Sequence, residues 1–443
     1  MMKNRLHHSE FFENLSTKRK RFMTYDVIVI GGGSAGLMAA AAASGEGAKV
    51  LLLEKGNKLG RKLGISGGGR CNVTNAKELD ELIRHIPGNG RFLHSALAAF
   101  GNRDIIAFFE QLGIALKEED NGRMFPVTDK AKTVVDALIN KVRSQGVEIR
   151  TSCPVQEVIY NEGHTAGVRL RSGEILHSRN VIVAVGGKSV PHTGSEGDGY
   201  AWAEQAGHTI TELYPTEVPL TSGETFIQTK ELQGLSLRDI SLTVWNAKQK
   251  KVVVHEGDMI FTHFGLSGPT ALRCSQFVVK GMKKDKVNTV LLTLDLQPHK
   301  HADEVYRETL ELASVDAKKA IKNVLKPYLP ERLIPLLLQQ AELREDLTYD
   351  HIPKQQWQEL AHHIKAFPIR VNGTLSLKEA FVTGGGVNLK EINPKTMESK
   401  LMPGLFFCGE ILDIHGYTGG YNITAAFTTG HTAGTQAANN EML

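Results

Sequence analysis

Residues 25–54 constrain the fold more than any other stretch of this 443-residue chain. Asp26 to Ile30 is β-branched and apolar after its first residue, the pattern of a short strand buried on both faces. Gly31-x-Gly33-x-x-Gly36 follows without a gap, and Ala35 to Ala43 is a run of small apolar helix formers. Gly45 and Gly47 stop that helix, and Lys49 to Leu53 reads as a second buried strand. Glu54 closes it 18 residues past Gly36 (54 − 36), near the roughly 20-residue offset of an acid that grips a ribose.

Each part has a physical job. Gly31 allows the tight turn, Gly33 admits a pyrophosphate to the backbone, and Gly36 brings the helix against the strand. Ser34 and Ala35 open the helix, whose free N–H groups and positive end suit phosphate. Glu54 is expected to accept hydrogen bonds from ribose hydroxyls. Strand, glycines, helix, strand and acid in this order predict a dinucleotide site. A membrane span over the uncharged Val27 to Gly45 is a poor alternative, because three adjacent glycines interrupt it.

Composition is that of an ordinary globular protein, with 41% apolar and 23% charged residues. The net charge of +4 sits largely in the first 21 residues, so residues 1–22 read as a disordered basic leader. Beyond the leader the basic balance nearly vanishes, and no nucleic-acid partner is expected. Cys71, Cys153, Cys274 and Cys408 form no CxxC pair, which excludes a vicinal redox dithiol and a cysteine-rich zinc site. No metal is expected, and a reduced cytoplasmic setting is the simple reading.

Residues 55–75 are dense in glycine and basic residues, as expected of a loop lying flat against an anionic ligand. Lys55 opens it, Arg61, Lys62 and Arg70 are placed to neutralise a diphosphate, Gly69 offers backbone N–H, and Asn72 and Asn75 offer amides to a ring edge. A flexible surface loop is the bland alternative. Helices are expected over most of 78–145, with a short extended segment at Gly122 to Thr128. Arg123 there is a surface charge or faces the cleft. A hairpin follows near Val155, and Asn180 to Gly187 is another buried strand whose end, Val185-Gly186-Gly187, belongs beside the first motif. Asp198 is placed to cap a following helix.

From about His208 to Pro298 alternation replaces buried runs and predicts an inserted β-rich domain. It contains Met259 to Pro269, expected as a strand, a glycine turn and a short helix. His263 stands in it, and a structural histidine is the stronger of its two readings. His301 to Phe367 is helical and charged. The chain then returns through Ala380 to Val387, and Gly404 to Asp413 ends a strand on Gly409-Glu410. Glu410 is placed to take ribityl hydroxyls. A last helix opens at Gly420, Tyr421, Asn422 and Ile423, where its positive end stabilises charge on a reduced ring. This second strand-and-helix clasp points to FAD rather than NAD.

Gly31-x-Gly33-x-x-Gly36, Gly67 to Asn75, His263 to Pro269 and Gly404 to Asn422 together resemble the BaiN-type or aminoacetone oxidase-like NAD(P)/FAD-dependent oxidoreductases (HI0933-like flavoproteins). The resemblance covers nearly the whole chain beyond residue 23. It implies an α/β chain with a glutathione-reductase-like two-dinucleotide-binding Rossmann-type FAD domain, carrying an inserted β-barrel and a helical subdomain over the flavin. The expected boundaries are 23–206 with 379–443 for the FAD domain, 207–300 with 366–378 for the barrel, and 301–365 for the helices. A residue near Val155 meets the adenine in flavoproteins of this layout. Residues 55–75 hold no histidine, so FAD is expected to be non-covalent.

The activity implied is hydride transfer at flavin N5 to or from a small organic molecule. NAD(P)H-linked reduction of an activated C=C bond leads. An amine oxidase using O2 and a non-catalytic flavin- or RNA-associated protein are the alternatives. His263, Arg273, His415 and Tyr417 are the chemical candidates, each also readable as structural.

Overall fold

The computed structural model describes residues 25–440, and the basic leader expected over 1–22 lies outside them. The described chain divides into two compact units. One runs to Tyr214 and resumes at Val382; the other is Pro215–Phe381.

The first unit is built on a five-stranded parallel sheet in the order Leu405–Phe407, Asn180–Val183, Val27–Ile30, Val50–Leu53, Glu148–Arg150. The first four strands are buried throughout, which is why their sequences, Asn180 apart, are apolar runs rather than alternating ones. The order puts the last strand of the chain two places from the first. Val382–Gly384 does not join this sheet.

The first helix, Ser34–Gly45, and the last, Tyr421–Ala438, pack closely against each other. Their small residues permit it. A Cβ on Gly430 would fall 2.3 Å from the Ala35 carbonyl oxygen, and one on Gly434 2.2 Å from that of Ala39. Three further pieces complete the unit: a hairpin sheet at Val155–His177, a small sheet of Thr74–Asn75, Leu116–Glu119 and Arg123–Pro126, and the amphipathic helix Ala131–Ser144.

The second unit is a closed six-stranded antiparallel barrel: Leu220–Ser222, Gly265–Ser267, Lys251–Phe261, Ser236–Trp245, Val290–Asp295 and Phe367–Thr374. Closure removes free strand edges. Helices at Ala302–Val315, Ile334–Gln340 and Lys354–Lys365 enter between the last two strands and share one apolar core with the barrel, with Phe261, Phe367 and Trp357 among its fully buried side chains. Lys365 anchors this region through a 2.6 Å ion pair with Asp295.

Two local expectations change. The helix after His263 is not short, because Pro269–Asp285 continues for 17 residues with Pro in its first turn. Asp198 is not a cap: Gly197, left-handed at φ 88°, precedes the helix, and Asp198 lies inside its first turn. Among the described residues no helix is long and apolar enough to cross a membrane.

Candidate functional site

The glycine motif sets the geometry of one end of the site. Gly31 has φ 105°, and a Cβ there would fall 2.5 Å from the Ala184 carbonyl oxygen. A Cβ on Gly36 would lie 1.8 Å from the Gly31 oxygen. The turn, the helix and the end of the neighbouring strand Asn180–Val183 therefore touch at backbone distance. A Cβ on Gly33 meets nothing within 4 Å, so the helix opens onto free space. No side chain caps Ser34 and Ala35, which leaves N–H groups for an anion.

Glu54 is fixed beside this opening. Its Oε2 accepts from the Gly32 N–H at 2.8 Å and its Oε1 from the Gly56 N–H at 2.7 Å. The Cys153 N–H donates to the Glu54 carbonyl at 2.9 Å, so the segment entering Val155 runs alongside.

The glycine-rich loop is more structured than its composition suggests, with a short helix at Arg61–Ile65 and a tight turn over Ser66–Gly69. Several of its polar groups are engaged within the protein. Lys55 pairs with Glu196 and Asp198, each at 2.6 Å. Arg70 makes two bonds to Glu119, at 2.8 and 2.9 Å, and stacks 4.0 Å over Phe125. Asn75, fully buried, donates to the carbonyls of Asn121 and Gly419 and accepts from the Lys77 N–H. Arg61 is exposed beside Gly56. Burial pushes the Cys71 thiol up to about 12, which makes it a packing group rather than a nucleophile.

The far end of the chain builds the other half. Glu410 follows Leu405–Phe407 and accepts from Lys62 Nζ at 2.6 Å, the Ser189 hydroxyl at 2.8 Å and the Thr383 N–H at 2.8 Å. Burial raises its carboxyl, but Lys62, the Thr383 N–H and the Ser189 hydroxyl outweigh that and hold it below the usual value. Gly187 sits hard against this network: a Cβ there would lie 2.5 Å from Thr383 Oγ1. Val185 and Gly186 lead into it, and the Gly409 N–H donates to Thr429 in the last helix at 3.0 Å.

At the N-terminus of that helix, Gly420 abuts the Thr74 carbonyl and Asn72. Asn72 is 7% exposed, and its Oδ1 is buried without a hydrogen-bond partner. A buried amide oxygen beside a helix N-terminus fits a group that brings its own donor, such as a flavin ring edge. Asn422 clamps Gly416 through both amide atoms, at 2.7 and 2.8 Å. Tyr421 stacks on His85 at 4.8 Å, and Ile423 is half-buried on the same turn.

His415 is 1% exposed, and its Nε2 lies 2.8 Å from the Tyr214 hydroxyl. Gly88 makes room for it: a Cβ on Gly88 would sit 2.2 Å from the imidazole. The two residues also exchange backbone hydrogen bonds, at 2.9 and 3.2 Å. Tyr417 donates its N–H to the His85 carbonyl at 3.0 Å. Burial raises the Tyr214 phenol above its ordinary value, so it stays protonated.

The two remaining candidates lie in the barrel unit. His263 is exposed in the turn before Gly265–Ser267, and Arg273 is half-buried in the long helix, its Nε without a hydrogen bond. Ser189, Thr383 and Tyr214 do not stand out in the sequence. Thr383 carries a weak signal, standing just before three glycines at the end of an apolar run.

A family model described as the HI0933-like protein Rossmann domain matches residues 25–436. The ribosomal RNA dihydrouridine synthase of Escherichia coli (strain K12) is 32% identical over 409 residues, covering 91% of this chain and 96% of that protein. The 3-dehydro-bile acid delta(4,6)-reductase of Clostridium scindens is 31% identical over 414 residues, covering 93% and 98%. The solved 3-ketosteroid delta1-dehydrogenase from Sterolibacterium denitrificans is similar in fold, with TM-score 0.51 and 14% identity over 94% of this chain and 99% of that one.

Proposed function

Because the chain belongs to the HI0933-like protein Rossmann domain family and is a flavin-dependent oxidoreductase, we propose that it reduces a C=C bond conjugated to a carbonyl, with NAD(P)H as electron donor. The observation that carries this reading is a chemistry shared by two relatives. One is named for making dihydrouridine in ribosomal RNA, the other for delta(4,6) reduction of a 3-dehydro-bile acid. Both names describe adding two hydrogens across such a bond.

The residues fit a non-covalent FAD. Gly31, Gly33 and Gly36 with the N–H groups of Ser34 and Ala35 would take the diphosphate. Glu54 and the backbone at Val155 would take the adenosine, and Glu410 the ribityl chain. Asn72 and the helix start at Tyr421 to Ile423 would meet the ring. Bound FAD would supply the hydride equivalent. Tyr214 then has the donor's role: its hydroxyl gives a proton to the second carbon. His415, 2.8 Å away, orients that hydroxyl, and the phenolate left after transfer takes a new proton from water. Tyr417 and Asn422 hold the loop that carries His415. Lys55 and Arg70 act by positioning the glycine-rich loop.

The test is anaerobic mixing of the flavin-loaded protein with NADPH or NADH, followed by a simple enone or a uridine-containing RNA. The expected result is bleaching of flavin absorbance, its return on adding acceptor, and a product heavier by two hydrogens. Flavin that stays oxidised with either nucleotide, but bleaches with an amine, overturns the reading in favour of an oxidase.

A further inference from the structure

Beside the Gly88–His415 bridge lies an open groove of about 600 Å3 to which the catalytic reading gives no role. Ile86 and Phe92 are part of its apolar floor, and Arg84, Arg91 and Lys390 stand around it. All three cations are exposed, none makes an ion pair among the described residues, and no Asp or Glu lines the groove. Elsewhere in this unit several cations near the site are matched: Lys55 with Glu196 and Asp198, Lys62 with Glu410, Arg70 with Glu119, Lys117 with Asp129. Three cations without ion-pair partners stand around one hollow, with Glu81 the carboxylate that feels Arg84 from outside it, and such a concentration of positive charge favours an anionic ligand.

The groove is built into the candidate site. Asn89, in a left-handed conformation at φ 61°, lines it and donates to the Asp413 carbonyl at 2.8 Å. One turn, His85 to Gly90, thus forms the groove wall and holds the loop carrying His415 and Tyr417.

We propose that this groove binds the phosphodiester backbone of single-stranded RNA, holding a substrate strand on the flank of the Tyr214–His415 pair. The proposal rests on the reductase reading for what is done to that strand. The cations come from three separate places, the end of helix Leu79–Arg84, the turn Gly90–Leu93 and the turn Leu389–Glu391. A spread of single charges over an open surface matches a polymer with one negative charge per nucleotide. A small carboxylate would need only one of them. Half-buried Phe92 offers a face on which an unpaired base can stack. RNA is also the substrate named for a relative that matches nearly end to end.

The test titrates the flavin-loaded full-length protein with a fluorescently labelled, uridine-containing single-stranded RNA at several salt concentrations. The basic leader is present in every sample, so differences between variants report the groove. R84Q/R91Q/K390Q is expected to weaken binding at least about tenfold at low salt and to flatten the salt dependence by about 2 log units per log unit, near 0.7 for each phosphate that is no longer neutralised. Its flavin spectrum and enone reduction should match wild type, which shows that it folds. Phe92→Leu keeps the floor apolar and is expected to weaken binding several-fold with an unchanged salt slope. Unchanged affinity and slope in the triple variant overturn the proposal, as does a wild-type protein that binds no RNA while a bile salt occupies the groove. If the triple variant loses RNA but wild type reduces neither RNA nor enone, the groove stands and the reductase reading falls.

Discussion

Two glutamates stand just past the ends of two strands of one parallel sheet and are held by different means. Glu54 takes two backbone N–H groups from glycines 22 and 2 residues away. Glu410 takes one backbone N–H and two side chains, the farther being Lys62, 348 residues away in sequence. The first carboxylate is oriented by a local motif without a counter-charge. The second is one pole of an ion pair assembled only when the chain ends meet. The nucleotide end of the site is therefore backbone-built and insensitive to charge, and the ring end is a network that one substitution can open.

The most damaging way to break the backbone-built end is Gly36→Ala. Its Cβ would meet the Gly31 oxygen at 1.8 Å with nothing flexible to yield, and the expected loss is about 3 kcal/mol or more of stability together with all flavin. Gly33→Ala is the control, since its Cβ meets no protein atom. It should melt like wild type and still bind FAD poorly. Thermal melts with flavin absorbance separate the two, and equal melting temperatures would show that the motif is not packed as described.

Next in size is the chemistry beside the network. Tyr214→Phe keeps the ring against His415 and removes the hydroxyl, so C=C reduction should fall by roughly 100- to 10,000-fold. Reduction of the flavin by nicotinamide should be untouched in stopped flow. Because burial raises the phenol above its ordinary 10.0, the donor stays protonated through that pH, and no alkaline fall in rate is expected there. A fall centred near 10 would show the phenol to be solvated.

The glutamates themselves give a smaller, sharper contrast. Glu410→Gln leaves Lys62 facing a neutral amide, with side chains 30% and 19% exposed in wild type, and should cost about 2 kcal/mol, between surface and buried ion pairs. Glu54→Gln keeps an acceptor for one backbone donor and should cost about 1 kcal/mol. The pH dependence separates them further. Glu410 is held below its ordinary 4.5, so its contribution is complete above that value and lost as pH falls through the lower folded one. Glu410→Gln should lose that acid limb, and melts between pH 3 and 6 will show whether wild type has it.

What is legible in the sequence follows the same division. Strand, glycines, helix and acid at 27–54 declare themselves because the whole motif lies in one continuous segment and glycine is sterically required. The barrel shows as a change of period from buried runs to alternation. Of the partners of Glu410, Lys62 reads in sequence as a diphosphate ligand, Thr383 gives only a weak signal before its three glycines, and Ser189 is an ordinary polar residue until the fold places it. Tyr214, beside a proline and far from His415, gives no signal. Arg70 and Asn75 read as ligand-facing because basic and amide groups in a glycine loop suit a ligand. Glu119 and the carbonyls of Asn121 and Gly419, which engage them, come from segments legible only as secondary structure. Net charge near zero outside the leader likewise reports the whole chain and not the three cations at one groove.

Lys55 gives the smallest effect and tests whether loop charge matters at all. It follows Glu54 directly and opens the glycine-rich loop, so sequence alone places it among the cofactor-binding residues. The structure turns its ammonium to Glu196 and Asp198, which flank the start of helix Asp198–Gln205. The pair of hydrogen bonds and charges outweighs burial and raises the lysine above its ordinary value, so it is charged throughout the working range. Half-exposed pairs of this kind contribute about 1 kcal/mol or less. Lys55→Gln should therefore lower the melting temperature slightly and change FAD affinity no more than about threefold, with the effect fading as salt rises. A loss of flavin comparable to that of Gly33→Ala would mean that Lys55 leaves its carboxylates for the diphosphate when FAD binds. The nucleotide end would then depend on charge after all, and the contrast between the two glutamates would narrow to how each is held rather than what each is held by.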